Sequence, residues 1–135
     1  MQNFQILGEI KKRLFGKHYK ALNQENLLNS DNINAKFDSL SKKLYEPKRP
    51  NYIVIFGLLL GNFGVHRYYN GDKKVALYFL IPSVAVLLLS IFVIPEKIAA
   101  GINMWIWIAA LIDANILARK TSAKNYEEIR EILEV

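Results

Sequence analysis

The sequence predicts an all-α fold: a small helical membrane protein with two transmembrane helices, a shorter apolar helix and an N-terminal helical segment. Three observations predict it. Residues 75–94 run for twenty positions without a charge, and residues 98–118 run for twenty-one with one charge, Asp113. About 20 apolar residues at 1.5 Å each cross a ~30 Å hydrocarbon core, so both qualify as spans. Residues 52–65 are also uncharged, but fourteen residues make only ~21 Å of helix, too short to cross unaided. The polar stretches on either side carry helical rather than strand periodicity. The chain therefore divides into residues 1–50, 51–118 and 119–135.

In the first part, Phe4, Leu7, Ile10 and Leu14 recur every three or four residues and share a helix face. Lys11, Lys12, Arg13 and Lys17 surround it. Such a helix either packs within an ordinary small helical domain or lies on an anionic membrane surface. A second stripe, Ile33, Phe37, Leu40 and Leu44, is spaced 4, 3 and 4, with Ser30 or Asp31 placed to cap it. It reads as an exposed seam for a partner helix. Pro47-Lys-Arg-Pro50 ends it and makes a stiff basic linker.

The membrane part opens on glycines. Gly57, Gly61 and Gly64 fall four and three residues apart, a strip that lets another helix approach closely in lipid. Gly64 also suits the left-handed end of a helix. Gly71, grouped with these helix-packing glycines, opens the turn before the next span. Between Gly64 and Gly71 lie His66 and Arg67. Charge beside a membrane span is costly and calls for a partner. Asp113 supplies it: five residues from the end of its span it sits ~8 Å below the interface. The chain from Gly71 to Ala118 crosses twice, so His66 or Arg67 is predicted to pair with Asp113 in an intramembrane polar cluster. Pro82 predicts a kink in the first span. Trp105 and Trp107 lie inside the second, suited to pack on the glycine strip with their N–H groups on Asn or backbone carbonyls.

After Ala118, Arg119, Lys120 and Lys124 form a basic collar. Tyr126, Ile129 and Leu133 then share one face of a short terminal helix, which Glu127, Glu128, Glu131 and Glu134 make acidic. This helix either docks on the basic N-terminal part or stays solvated.

The run Gly61-Asn-Phe-Gly-Val-His-Arg-Tyr-Tyr-Asn-Gly71 matches G-x-x-G-x-H-R-[FY]-Y-x-G. With the later helix bearing Trp105, Trp107 and Asp113, it resembles the TM-two (two-transmembrane) domain family over residues 51–118. The matching residues of the run are Gly61, Gly64, His66, Arg67, Tyr68, Tyr69 and Gly71. The resemblance implies a membrane hairpin module and no particular reaction. The segment between Leu80 and Trp105 is longer here than in the usual family pattern, a departure that bears on the span count.

Composition narrows the function. The net charge is +6, yet Lys and Arg cluster outside the apolar segments, as the positive-inside rule expects, which argues against nucleic acid. The absence of cysteine removes disulfides and thiolate metal sites. No cleavable leader is visible near Met1. A metal site needs at least three ligands and only His18, His66 and scattered carboxylates are on offer, so no metal or cofactor is expected. Ser83 and Ser90 have no second His nearby to serve as base. The reading is a non-catalytic accessory protein of a bacterial cytoplasmic (inner) membrane, with both termini cytoplasmic. Its partners would be the lipid bilayer and a larger membrane complex that it binds, assembles or stabilises, with self-association as a second mode. The alternative is a small oligomeric channel or proton-conducting subunit using His66 and Asp113.

Overall fold

The computed structural model describes residues 3–45 and 48–134. They form eight α-helices, with no strand among the described residues: α1 (Asn3–Arg13), α2 (Gly16–Gln24), α3 (Ser30–Ala35), α4 (Phe37–Leu44), α5 (Pro50–Leu60), α6 (Val65–Tyr69), α7 (Lys73–Phe92) and α8 (Glu96–Glu134). One turn of 3₁₀ helix, Gly61–Phe63, follows α5. The chain groups into two compact units. One comprises the described residues up to Asn51 together with those from Arg119 onward; the other is Tyr52–Ala118.

The first unit is a helical assembly around an apolar core. Its core is Ile6, Ile10, Leu14, Leu22, Leu28, Ile33, Leu40, Leu44, Ile129 and Leu133. In α1 the buried residues are Ile6, Ile10 and Arg13; of the predicted stripe, Ile10 and Leu14 enter the core and Leu7 packs against it, while Phe4 is 80% exposed. The helices are short because the chain breaks them. Phe15 is extended (φ −71°, ψ 154°) between α1 and α2. Asn26 adopts a left-handed φ of 57° after α2, a conformation Asn tolerates better than most residues. The cap of α3 is Asn29, whose side chain accepts from the Asn32 N–H at 2.7 Å, rather than Ser30 or Asp31. Lys36 (φ −108°, ψ 15°) interrupts the second stripe, so it spans α3 and α4 instead of one helix. Pro47 lies outside the described residues.

The C-terminal segment is not a separate short helix. It is the last part of α8, and Ser122, Asn125, Ile129 and Leu133 form its buried face within this unit. Lys43 and Glu128 form an ion pair there, and Tyr126 donates to Glu25 at 3.2 Å.

The second unit inverts the usual arrangement. Its buried residues are mostly small: Gly57, Gly61, Gly64, Ala76, Ser83, Ala99, Ala110, Ala114 and Ala118. Ile53, Leu117 and His66 are the larger exceptions. The large apolar side chains point outward, with Tyr78, Phe92 and Trp105 each about 70% exposed or more (74%, 81% and 69%). α7 and α8 are long and apolar enough to cross a membrane; α5 with its 3₁₀ turn is the shorter apolar helix. Small residues inside and large apolar residues outside is the pattern of helices packed in lipid, where burying Leu against Leu gains nothing over lipid.

Contacts fix the path of the shorter helix. Gly57 and Gly61 pack on Ala114 and Ala110 respectively, so α5 runs antiparallel to α8 with a four-residue small-residue spacing on both helices. At the far end of this descent, Asn62 donates to the Asn103 carbonyl at 3.2 Å, and its own carbonyl accepts from Ser83 Oγ at 2.7 Å. The chain then returns. Tyr69 lies against Phe56 and Tyr52, with ring centroids 5.2 and 6.2 Å away. Asn103 and Asp113 are ten residues apart in α8, so this α5–α6 hairpin reaches roughly 15 Å along α8 and doubles back. α7 continues as helix through Pro82.

Candidate functional site

The hairpin delivers His66 and Arg67 to Asp113 of α8. Two glycines make that possible. Gly64 ends the 3₁₀ turn at φ +69°, and a Cβ there would lie 2.8 Å from Ala76 Cα, so both backbone conformation and close helix approach require glycine. Its carbonyl then accepts from the N–H groups of Arg67 (3.1 Å) and Tyr68 (3.0 Å), which starts α6. Gly71, at φ +92°, reverses the chain into α7. Space is open around it, so it serves the turn and is not a packing glycine like Gly57 and Gly61.

The cluster is a two-sided clamp on one carboxylate. Arg67 Nε donates to Asp113 Oδ2 at 2.7 Å and Nη2 donates to Oδ1, the bidentate fork that suits a guanidinium to a carboxylate. Arg67 Nη1 also reaches Asp72 Oδ2 at 3.1 Å, tying in the start of α7. From the other side, His66 Nε2 lies 2.8 Å from Asp113 Oδ2. A carboxylate only accepts, so the imidazole proton resides on Nε2 and is donated. His66 is fully buried, edge-on to the Phe79 ring at 5.2 Å between centroids. Its Nδ1 has no hydrogen-bond partner among the described residues. The predicted cluster is thus one connected site, and both oxygens of Asp113 are engaged.

Near it, Trp107 Nε1 donates to the Leu58 carbonyl at 2.8 Å. Leu58 lies in the last turn of α5, whose carbonyls lack helical partners, so the indole satisfies a group that lipid could not. Trp107 also borders Gly61, 3.9 Å from where a Cβ would stand. Trp105 faces outward.

The seam of Ile33, Phe37, Leu40 and Leu44 is where the sequence reading fails. Ile33 and Leu40 are fully buried and Leu44 nearly so, all inside the core of the first unit, with Phe37 packed against it. Four short helices with few apolar residues draw on this stripe for their own core. The stripe is therefore spent internally and offers no groove to a partner.

That unit contains a second polar cluster the sequence reading missed. Buried Ser122 Oγ accepts from the Phe15 N–H at 2.8 Å and lies 2.7 Å from His18 Nδ1. His18 stacks on Tyr126 at 5.2 Å. Burial, and then the charge of Lys17, push the His18 pKa below its ordinary value. Although a Ser–His contact resembles a nucleophile with its base, this Ser hydroxyl is fully buried and already bonded to the backbone. Its work is to join α2 to α8. Arg13 is also buried, with its guanidinium on Glu9 Oε2 (2.6 Å), the Glu9 carbonyl (3.2 Å) and the Leu44 carbonyl at the end of α4. The periodicity of Ser122, Asn125, Ile129 and Leu133 was the available signal for this docking face.

Among the described residues, no three His, Asp or Glu side chains gather as a metal site would require. Compared with protein-family models, curated proteins and solved structures, the chain matches none.

Proposed function

We propose that this chain is a non-catalytic accessory protein of the bacterial cytoplasmic membrane that binds and stabilises a larger membrane complex. Residues 51–118 form the membrane part, read as a TM-two-like module. One observation carries the proposal: the central polar side chains of the Tyr52–Ala118 unit are engaged in holding the hairpin, although His66 Nδ1 and Asn62 Oδ1 stay without a partner among the described residues. Asp113 is engaged by Arg67 and His66, the Asn62 amide donates to the Asn103 carbonyl, the Ser83 hydroxyl to the Asn62 carbonyl, and the Trp107 indole to the Leu58 carbonyl. What the unit presents outward is apolar, including Phe92, Met104, Trp105 and Ile112. A surface of that kind recognises another membrane protein by lateral packing and carries out no chemistry. The buried seam in the N-terminal unit removes the rival docking site, so recognition is assigned to the outer faces of α7 and α8.

The orientation follows from charge. With the hairpin entering and returning, seventeen of the eighteen Lys and Arg residues fall on one side and only Lys97 on the other. The positive-inside rule places that side in the cytoplasm, together with both termini.

The test is site-specific photo-crosslinking from Phe92 and Trp105 in native membranes, with mass spectrometry of the adducts. One dominant heterologous membrane protein is expected. Self-adducts alone would shift the reading to the oligomeric channel that uses His66 and Asp113. Lipid adducts alone would remove the interaction role.

A further inference from the structure

We infer that the N-terminal unit carries a binding groove for the headgroup of an anionic phospholipid, between α1 and α2 beside Asn51. The inference rests on the membrane reading above and names a ligand that reading leaves open. The groove has a volume of about 540 Å³, within the roughly 300–1,000 Å³ usual for small-molecule sites. Its floor is apolar, from Leu14, Phe15 and Tyr19, and Lys11 and Lys12 stand on its rim. Asn51, also in the lining, directly precedes the uncharged run that begins at Tyr52. Through Asn51 the groove is tethered one residue from the start of the run assigned to lipid.

Charge complementarity selects the occupant. Among the first 23 residues there are five Lys and Arg and one acid, Glu9. Glu9, which is not part of the lining, is shared by Lys12 (2.9 Å), Arg13 (2.6 Å) and Arg49 (3.3 Å), so it offsets the Lys12 charge only in part, and the lining itself holds two lysines and no acid. The rim is therefore positive above an apolar floor, which matches a phosphodiester attached to glycerol and acyl chain. Gly8 gives independent support. Glycine inside a helix is destabilising relative to alanine and is normally kept for a positive φ or a close approach. Gly8 has neither: it is not among the positive-φ glycines, and a Cβ there would meet nothing within 4 Å. It lines the groove, where the space beside it is open.

The full chain in nonionic detergent is titrated with dihexanoyl-phosphatidylglycerol, with the phosphatidylcholine analogue and with inorganic phosphate, following the amide resonances of Gly8 and Gly16. Phosphatidylglycerol is expected to give saturable shifts at both. Lys11→Gln with Lys12→Gln should weaken binding about fivefold per lysine, about 25-fold together. The charge-matched control Lys36→Gln with Lys42→Gln should leave it unchanged. Gly8→Leu should abolish the shift at Gly16 without lowering the thermal midpoint, because leucine is the better helix former. Binding that survives both the lysine and the Gly8 variants overturns the inference. So does equal binding of phosphatidylcholine, or of inorganic phosphate. Alkaline extraction of membranes reports insertion separately: a chain that stays in the pellet but does not bind phosphatidylglycerol loses this groove and keeps its membrane assignment.

Discussion

Replacing Asp113 by Ala should unlatch the α5–α6 hairpin. The change removes the acceptor of two Arg67 hydrogen bonds and of the His66 Nε2 proton. Arg67 keeps only Asp72, whose side chain is 43% exposed and therefore a weak partner. His66 is left buried with neither ring nitrogen bonded. Breaking a buried ion pair from one side costs about 3–5 kcal/mol. The Asp113 and Arg67 side chains retain 21% and 19% exposure, so some solvent screening remains and about 2–4 kcal/mol is expected. Arg67→Ala strands Asp113 less completely, because His66 still donates to it, and should cost about 1–3 kcal/mol. The double variant should fall short of the sum by at least about 1 kcal/mol, since each single change destroys the same bidentate contact. Thermal or denaturant unfolding of detergent-solubilised protein, followed by the fluorescence of Trp105 and Trp107, measures all three. Losses that add within about 0.5 kcal/mol would refute the clamp.

Gly57→Ala should destabilise by about 1–3 kcal/mol, because the new methyl strikes Ala114, and Ala114→Gly in the same chain should restore part of the loss; unfolding midpoints decide. Gly101→Ala, whose methyl meets nothing within 4 Å, should be neutral or stabilising by up to about 1 kcal/mol in the same assay. Glu9 is held at a pKa of about 2 by the hydrogen bonds of Lys12 and Arg13. A lowered carboxylate pKa adds stability above the ordinary value of 4.5 that fades as pH falls towards 2, so the midpoint difference between the protein and Glu9→Gln should close over that interval. His18 binds protons less well folded than unfolded, so stability should decline as pH drops below 6.5, and His18→Gln should remove that dependence. Reporter fusions at Asp72 and after Val135 should both read cytoplasmic; periplasmic activity at either one contradicts the re-entrant path.

The sequence was most legible where one physical requirement dominates. Two long apolar runs, one uncharged and one with a single charge, admit few readings, and they coincide closely with α7 and the first part of α8. Charges beside such runs need partners, which is why Arg67 and Asp113 were readable as a pair from spacing alone. Gly64 was readable as a helix end because glycine accepts a left-handed φ. Periodicity misled where it was asked to decide exposure. Ile33, Phe37, Leu40 and Leu44 form a genuine apolar stripe, but a stripe looks the same whether it faces a foreign helix or its own core. Its true partners, Ile129 and Leu133, lie some ninety residues later, and nothing in the local pattern announces that separation. Of the α1 stripe, Ile10 and Leu14 enter the core and Leu7 packs against it, while Phe4 alone is exposed; what spacing did not show is the burial of Arg13. A charged residue reads as solvent-facing, whereas Glu9 and the Leu44 carbonyl satisfy Arg13 and let it lie buried beside Ile6 and Ile10.

The same logic explains why the polar residues of the two units differ in kind. In the N-terminal unit, polar groups close gaps at helix ends: Arg13 on the Leu44 carbonyl, Asn125 on the carbonyls of Arg13 (3.0 Å) and Lys48 (3.1 Å), and Ser122 on the Phe15 N–H. Water competes for each of these, so each contributes modestly, about 1 kcal/mol. In the Tyr52–Ala118 unit the broken segment from Gly61 to Gly71 exposes backbone that lipid cannot solvate. There Asn62, Ser83 and Trp107 act as substitutes for water, and Arg67 with Asp113 holds the segment against α8. Trp107→Phe isolates that role: it retains the ring's packing beside Gly61 but strands the Leu58 carbonyl. The expected loss is about 1–2 kcal/mol in detergent, at the upper end for a single neutral hydrogen bond because the freed carbonyl has no solvent to turn to. A loss below about 0.3 kcal/mol would mean that water already reaches the end of α5, and the hairpin would then belong in a hydrated setting rather than in the bilayer.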